Sequence, residues 1–100
     1  MKLFIDDLRD PLDDSWWVVR SSKAGIEFLH AYGIPDEISF DHDLGGDDTA
    51  MVFVNYMIEA VLDKTLEMPK GFRYVVHSAN PVGSLNIESK MDSFLKFIGE

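Results

Sequence analysis

Short apolar runs alternate with longer stretches of helical period along this chain. "KLFI" at 2–5, "WWVVR" at 16–20, "EISF" at 37–40 and "RYVVH" at 73–77 read as strands. Between them the apolar positions recur at helical spacing. "SSKAGIEFLHAY" at 21–32 puts Ala24, Phe28 and Tyr32 on one face, with Ser21 or Ser22 as cap and Gly33 as stop. "DDTAMVFVNYMIEAVLDK" at 47–64 is the longest predicted helix, apolar around most of its circumference and so expected to be covered on two sides. Asp47 and Asp48 sit at its start, where the helix dipole favours negative charge. A last helix over about 84–98 carries Ile87, Met91, Phe94, Leu95 and Ile98 on one stripe. "DDLRDPLDDS" at 6–15, with Pro11 and five aspartates, is a loop.

Strands that alternate with helices predict a small, doubly wound α/β fold with a mainly parallel four-stranded sheet. One connection is unusual. Residues 6–15 replace the helix that a parallel crossover normally uses, so either that crossover is irregular or the second strand runs antiparallel. With 100 residues, 46% of them hydrophobic, the chain suits one domain with one core, residues 1–100.

Charge narrows the function. The net charge of −9 argues against nonspecific nucleic-acid binding and against docking on an anionic membrane. It suits a cation site, a small ligand held by local donors, or a basic partner. There is no cysteine, which excludes disulfides, thiolate catalysis and Cys-ligated metals. The opening "MKLFIDD" reaches Asp6 too early for a signal peptide, and no run has the ~20 apolar residues of a membrane helix, so a cytoplasmic location is expected.

Ligands in open parallel sheets bind beyond the carboxyl ends of the strands. Here those ends carry Asp6 and Asp7, then Asp41, His42 and Asp43, then His77, Ser78, Ala79 and Asn80. Asp6, Asp7 and Asp41 should converge, and hard oxygen donors of this kind suit Mg²⁺, Mn²⁺ or Ca²⁺. Gly45 and Gly46 give a turn whose N–H groups could approach an anion. Structural roles compete with each assignment. Asp47 and Asp48 read most simply as a helix cap, and Asp10, Asp13 and Asp14 as solvated loop residues. His30 reads as a surface residue, and Trp16 and Trp17 as core and sheet-face residues. Asn80-Pro81 reads first as a turn. Arg9 could clamp a phosphate or merely neutralise the aspartates.

Four segments, "FIDDLRDP", "WWVVRSSKAGIEFL", "SFDHDLGGDDT" and "VVHSANPVG", together resemble the cyclic-phosphate-processing branch of the response-regulator receiver fold. The resemblance spans nearly the whole chain, with the motifs in the same order. It implies a receiver- or flavodoxin-like sheet that lacks the first helix and the fifth strand. It also implies that Asp6 and Asp7 hold Mg²⁺, that Asp41 lies at the phosphoryl-accepting position and that the Ser78 hydroxyl contacts the phosphoryl group. The lysine that receivers carry after their fifth strand has no counterpart, since Lys90 and Lys96 fall in the predicted last helix. His42, Asp43 and His77 add titratable groups, which fit hydrolysis better than a phosphorylation switch.

The leading expectation is a metal-dependent phosphoesterase acting on a cyclic phosphate of a nucleotide, an RNA end or an ADP-ribose derivative. Asp6, Asp7 and Asp41, joined by Asp43, would hold Mg²⁺ or Mn²⁺. The alternative for Asp41 is direct attack on phosphorus, forming an acyl phosphate. His77 would protonate the leaving oxygen with His42 as partner base, and Arg9, Ser78 and Asn80 would hold the phosphate. The other expectation is a non-catalytic module that binds a phosphorylated ligand or a protein partner, including a second copy through helix 47–64. A third, an acidic decoy for a nucleic-acid-binding protein, fits poorly with charge gathered at strand ends.

Overall fold

The computed structural model describes residues 1–99. The chain runs β1 (Lys2–Ile5), β2 (Trp16–Val19), α1 (Ser22–Tyr32), β3 (Glu37–Phe40), α2 (Ala50–Leu62), β4 (Arg73–Val76) and α3 (Pro81–Phe97). The strands form one sheet in the order β2-β1-β3-β4 and every pair is parallel. The second strand is therefore not antiparallel, and residues 6–15 make an irregular crossover. Arg20 pins that crossover from the end of β2. Its guanidinium donates to the backbone oxygens of Asp6 (3.2 Å) and Arg9 (2.6 Å) and pairs with Asp10 (2.5 Å).

Topology decides where the helices go. From β2 through α1 to β3, and from β3 through α2 to β4, the chain steps in the same direction across the sheet. Right-handed crossovers then put α1 and α2 on one face, and α3 packs beside α2 on that side. The core follows: Leu3, Ile5, Ile38 and Phe40 of the sheet meet Phe28, Phe53, Met57, Ile87 and Met91 of the helices. Only the β1–β2 connection steps the other way, and it contains no helix. Among the described residues there is no fifth strand and no second helical layer, so the receiver-like winding is one-sided. The other face carries Lys2, Phe4, Trp16, Val18, Glu37, Ser39, Arg73 and Val75, as strand alternation and the parallel register require.

Lying between α1 and α3, α2 buries Phe53, Val54, Met57 and Ile58, which explains its apolar circumference. Its outer stripe, Val52, Asn55, Glu59 and Leu62, mixes apolar and polar positions.

Two helix starts differ from the expected ones. α2 begins at Ala50 rather than residue 47, because residues 43–49 fold back on themselves. Asp43 bridges to Thr49, the Leu44 N–H donates to Asp48 O (3.0 Å), and the Asp48 N–H donates to Gly45 O (3.0 Å). Asp47 and Asp48 therefore do not cap α2. The Asp48 carboxylate instead accepts from the Ser22 N–H (2.9 Å) and the Ser22 hydroxyl (2.5 Å), which ties this turn to the start of α1. α3 starts at Pro81 rather than 84. Asn80 is its N-cap, accepting from the Gly83 N–H at 3.0 Å, and Pro81 fills the first helical position, where no N–H is needed.

Candidate active site

β1, β3 and β4 end side by side, so the residues that follow them share one rim. The cavity there has a volume of about 650 Å³ and is lined by acidic Asp6, Asp7, Asp41 and Asp43, by Arg9, by Gly45 and Gly46, and by Ser78 and Asn80. No aromatic side chain lines it.

Asp6 is fully buried and saturated with donors. Its Oδ1 accepts from the Leu8 N–H (2.9 Å) and the Arg9 N–H (2.8 Å). Its Oδ2 accepts from Arg9 Nε (2.9 Å) and His77 Nε2 (2.9 Å). Burial alone pushes the Asp6 carboxyl up. The N–H bonds from Arg9 and Leu8, the His77 bond and the Arg9 charge outweigh it, and the group lies below its ordinary value. It stays a carboxylate.

Asp41 is buried against β1, its N–H bonded to Ile5 O at 2.8 Å. The cation near its side chain is Arg9, whose Nη2 stands 3.5 Å from Oδ1. Asp7 completes the group. One oxygen from each of Asp6, Asp7 and Asp41 lies within 4.8 Å of the others. Asp7 also fixes the neighbouring turn: a Cβ at Gly45 would stand 3.3 Å from Asp7 Oδ2, and Gly45 has φ +90°. Only glycine meets both demands without strain.

This donor set fits a hard divalent cation. Each of the three residues offers a carboxylate oxygen, the hard donor that Mg²⁺ and Mn²⁺ prefer. Asp43, expected as a fourth ligand, is outside the cluster. Its oxygens accept from His42 Nδ1 (3.0 Å) and Asn80 Nδ2 (3.2 Å), and those bonds hold its carboxyl below the ordinary value.

Both histidines are held by neighbouring side chains. His77 is not among the residues that line the cavity. Nε2–H donates to Asp6, Nδ1 accepts from Ser39 Oγ at 2.7 Å, and the ring stacks on Phe4 with centroids 4.5 Å apart and planes 7° from parallel. With both nitrogens engaged, it is a positioning residue for Asp6. His42 is wedged against the first turn of α3, where a Cβ on Gly83 would stand 2.3 Å from His42 Cγ. The bonds in place let His77 orient Asp6 and His42 orient Asp43. Asn80 caps α3 through Oδ1 and donates one Nδ2–H to Asp43, which leaves its second N–H at the cavity wall. The Ser78 Oγ accepts from the Asn80 N–H at 3.1 Å, which leaves its proton to donate into the cavity.

Three contributors lie outside the residues singled out from sequence for the site: Arg20, which sets the 6–10 loop, Ser39 under His77, and Asp48, which anchors the 43–49 turn. Ser39 leaves a signal, a lone hydroxyl in a buried apolar strand. Arg20 and Asp48 leave none, because their partners are set by tertiary contact. His30 is at the surface as expected, bonded to the Tyr56 hydroxyl at 2.6 Å.

A family model described as the cyclic-phosphate processing receiver domain matches residues 1–93. Neither the comparison with curated proteins nor that with solved structures finds a match.

Proposed function

Because the chain belongs to the cyclic-phosphate processing receiver family, we propose that it is a metal-dependent phosphoesterase that opens a cyclic phosphate. The substrate class is a cyclic phosphate on a nucleotide, an RNA end or an ADP-ribose derivative, and the site of action is cytoplasmic. The observation that carries the reading is the meeting of the Asp6, Asp7 and Asp41 oxygens within 4.8 Å on the floor of an open cavity.

Asp6, Asp7 and Asp41 would hold Mg²⁺ or Mn²⁺, which when bound polarises a phosphoryl oxygen and acidifies water. Ser78 donates its free proton to a phosphoryl oxygen. His77 and Ser39 keep the Asp6 carboxylate in one orientation, and His42 does the same for Asp43 by a direct hydrogen bond. Ring opening consumes one water: its oxygen bonds to phosphorus, one ester P–O bond breaks, and the leaving oxygen takes up a proton. The cavity opens to solvent, so water is at hand to supply that proton. With no aromatic ring in the lining, recognition falls on the phosphate and sugar and not on a base.

The second reading, a module that binds a phosphorylated ligand without turning it over, draws on the engagement of both histidines with side chains of the protein. One experiment separates the two. Product formation is followed on 2′,3′-cyclic nucleotides, cyclic-phosphate RNA ends and cyclised ADP-ribose, with Mg²⁺, with Mn²⁺ and with chelator. The enzyme reading requires metal-dependent opening that disappears in Asp41→Asn. Binding of these compounds without product in any condition replaces it with the module.

A further inference from the structure

Asp6 cannot accept a further ligand as it stands. A carboxylate has about four acceptor positions, and the two backbone N–H groups, Arg9 Nε and His77 Nε2 fill them. A cation shared by Asp6, Asp7 and Asp41 must therefore displace one of these donors. Three of them are fixed. The Leu8 and Arg9 N–H groups belong to the turn after β1, and Arg20 clamps that turn through Arg9 O. His77 is held by Ser39 and by the Phe4 ring.

The Arg9 side chain is the exception. It is half exposed, and beyond Asp6 and Asp41 its guanidinium makes one bond, a 3.2 Å contact from Nη2 to His77 O. It can turn outward without disturbing the backbone. It also supplies a positive charge in direct contact with the cluster in the absence of metal.

We propose that Arg9 is a displaceable internal counter-ion: it occupies Asp6 and Asp41 until a divalent cation takes them, and the displaced guanidinium then meets the substrate phosphate. Neutralising the aspartates and clamping a phosphate become successive states of one residue. Arginine suits both, because its planar fork matches carboxylate and phosphate alike. The inference rests on the proposed metal site.

The test is calorimetric titration of Mg²⁺ and of Mn²⁺ into the full chain and into Arg9→Gln and Arg9→Lys. Removing the competitor should tighten metal binding about tenfold in Arg9→Gln, roughly the factor carried by one charge-assisted hydrogen bond. Arg9→Lys, which keeps a charge but loses the fork, should fall between. In the unsubstituted protein, the Arg9 Nε–H resonance should be protected from exchange without metal and lose that protection as Mg²⁺ is added. This second readout needs no folded variant. Metal binding that is equal or weaker in Arg9→Gln, or an Arg9 Nε–H that stays protected at saturating Mg²⁺, overturns the counter-ion while leaving the metal site standing. No binding to any of the three proteins overturns both.

Discussion

Asp6 and Asp7 are neighbours in sequence, yet their replacement by asparagine should move stability in opposite directions. Asp7 has no hydrogen-bond partner among the side-chain bonds of the site, and one of its oxygens lies within 4.8 Å of oxygens of both Asp6 and Asp41. Each such pair of like charges repels by about 3.5 kcal/mol at an effective dielectric of about 20 and about 0.9 kcal/mol in water. Asp7 is only partly buried and Arg9 offsets part of the charge, so the lower figure governs. Asp7→Asn should stabilise the metal-free protein by about 1 kcal/mol. Asp6→Asn puts an amide among four donors. It forfeits the charge-assisted bonds to Arg9 and His77 and should cost about 2–4 kcal/mol. The assay is urea denaturation in chelator, followed by the fluorescence of Trp16 and Trp17. Millimolar Mg²⁺ should then erase the advantage of Asp7→Asn, since the wild-type chain gains binding energy that the variant loses. An Asp7→Asn protein less stable than wild type in chelator, or a neutral Asp6→Asn, would refute this account of the cluster.

Two further outcomes follow from the geometry. His77→Ala should destabilise the chain by about 2 kcal/mol, because Asp6 and Ser39 each lose a partner, and it should weaken Mn²⁺ binding together with turnover; loss of turnover alone would restore the ring as a proton donor. Tyr74, whose hydroxyl donates to Asp92, is pushed up by burial and then by that bond and the nearby Asp92 and Glu88 charges. The unfolded chain ionises near the ordinary tyrosine value while the folded chain keeps its proton, so this contribution is present below about pH 10 and is lost as pH rises above it. Tyr74→Phe should therefore show a smaller drop in melting temperature than wild type between about pH 9 and about pH 11, and an equal drop would place Tyr74 outside the alkaline transition.

The sheet, its strand ends and the meeting of Asp6, Asp7 and Asp41 were legible because short, mostly apolar strands followed by polar residues leave few ways to thread a parallel sheet. α1 was legible to its cap: Ser21 accepts from the Ala24 N–H at 3.0 Å. The start of α2 was not. Asp48 looks like a cap to local inspection, and its partner, Ser22, lies 26 positions away. The partners of the histidines were hidden for a related reason. A ring that follows a strand can face a cavity or lie under it, and the Ser39 hydroxyl and the Phe4 ring decided the matter for His77. The one-sided winding did have a signal. The only connection that steps backwards across the sheet is the one with Pro11 and five aspartates in place of a helix.

That bare side bears on crowding of the chain with itself. β2 and β4 are outer strands, each with an unpaired edge, and Val18 and Val75 beside them are exposed. Open edges of this kind invite strand addition from another copy. The same side carries Lys2 above Trp16 and the Arg73–Glu37 pair at 2.9 Å, and each outer strand is only four residues long. Shortness and fixed charge are what make an open edge a poor template. Lys2, Glu37 and Arg73 put fixed charge on the sheet face opposite the helices, a constraint on what the strands can carry that is separate from phosphate chemistry.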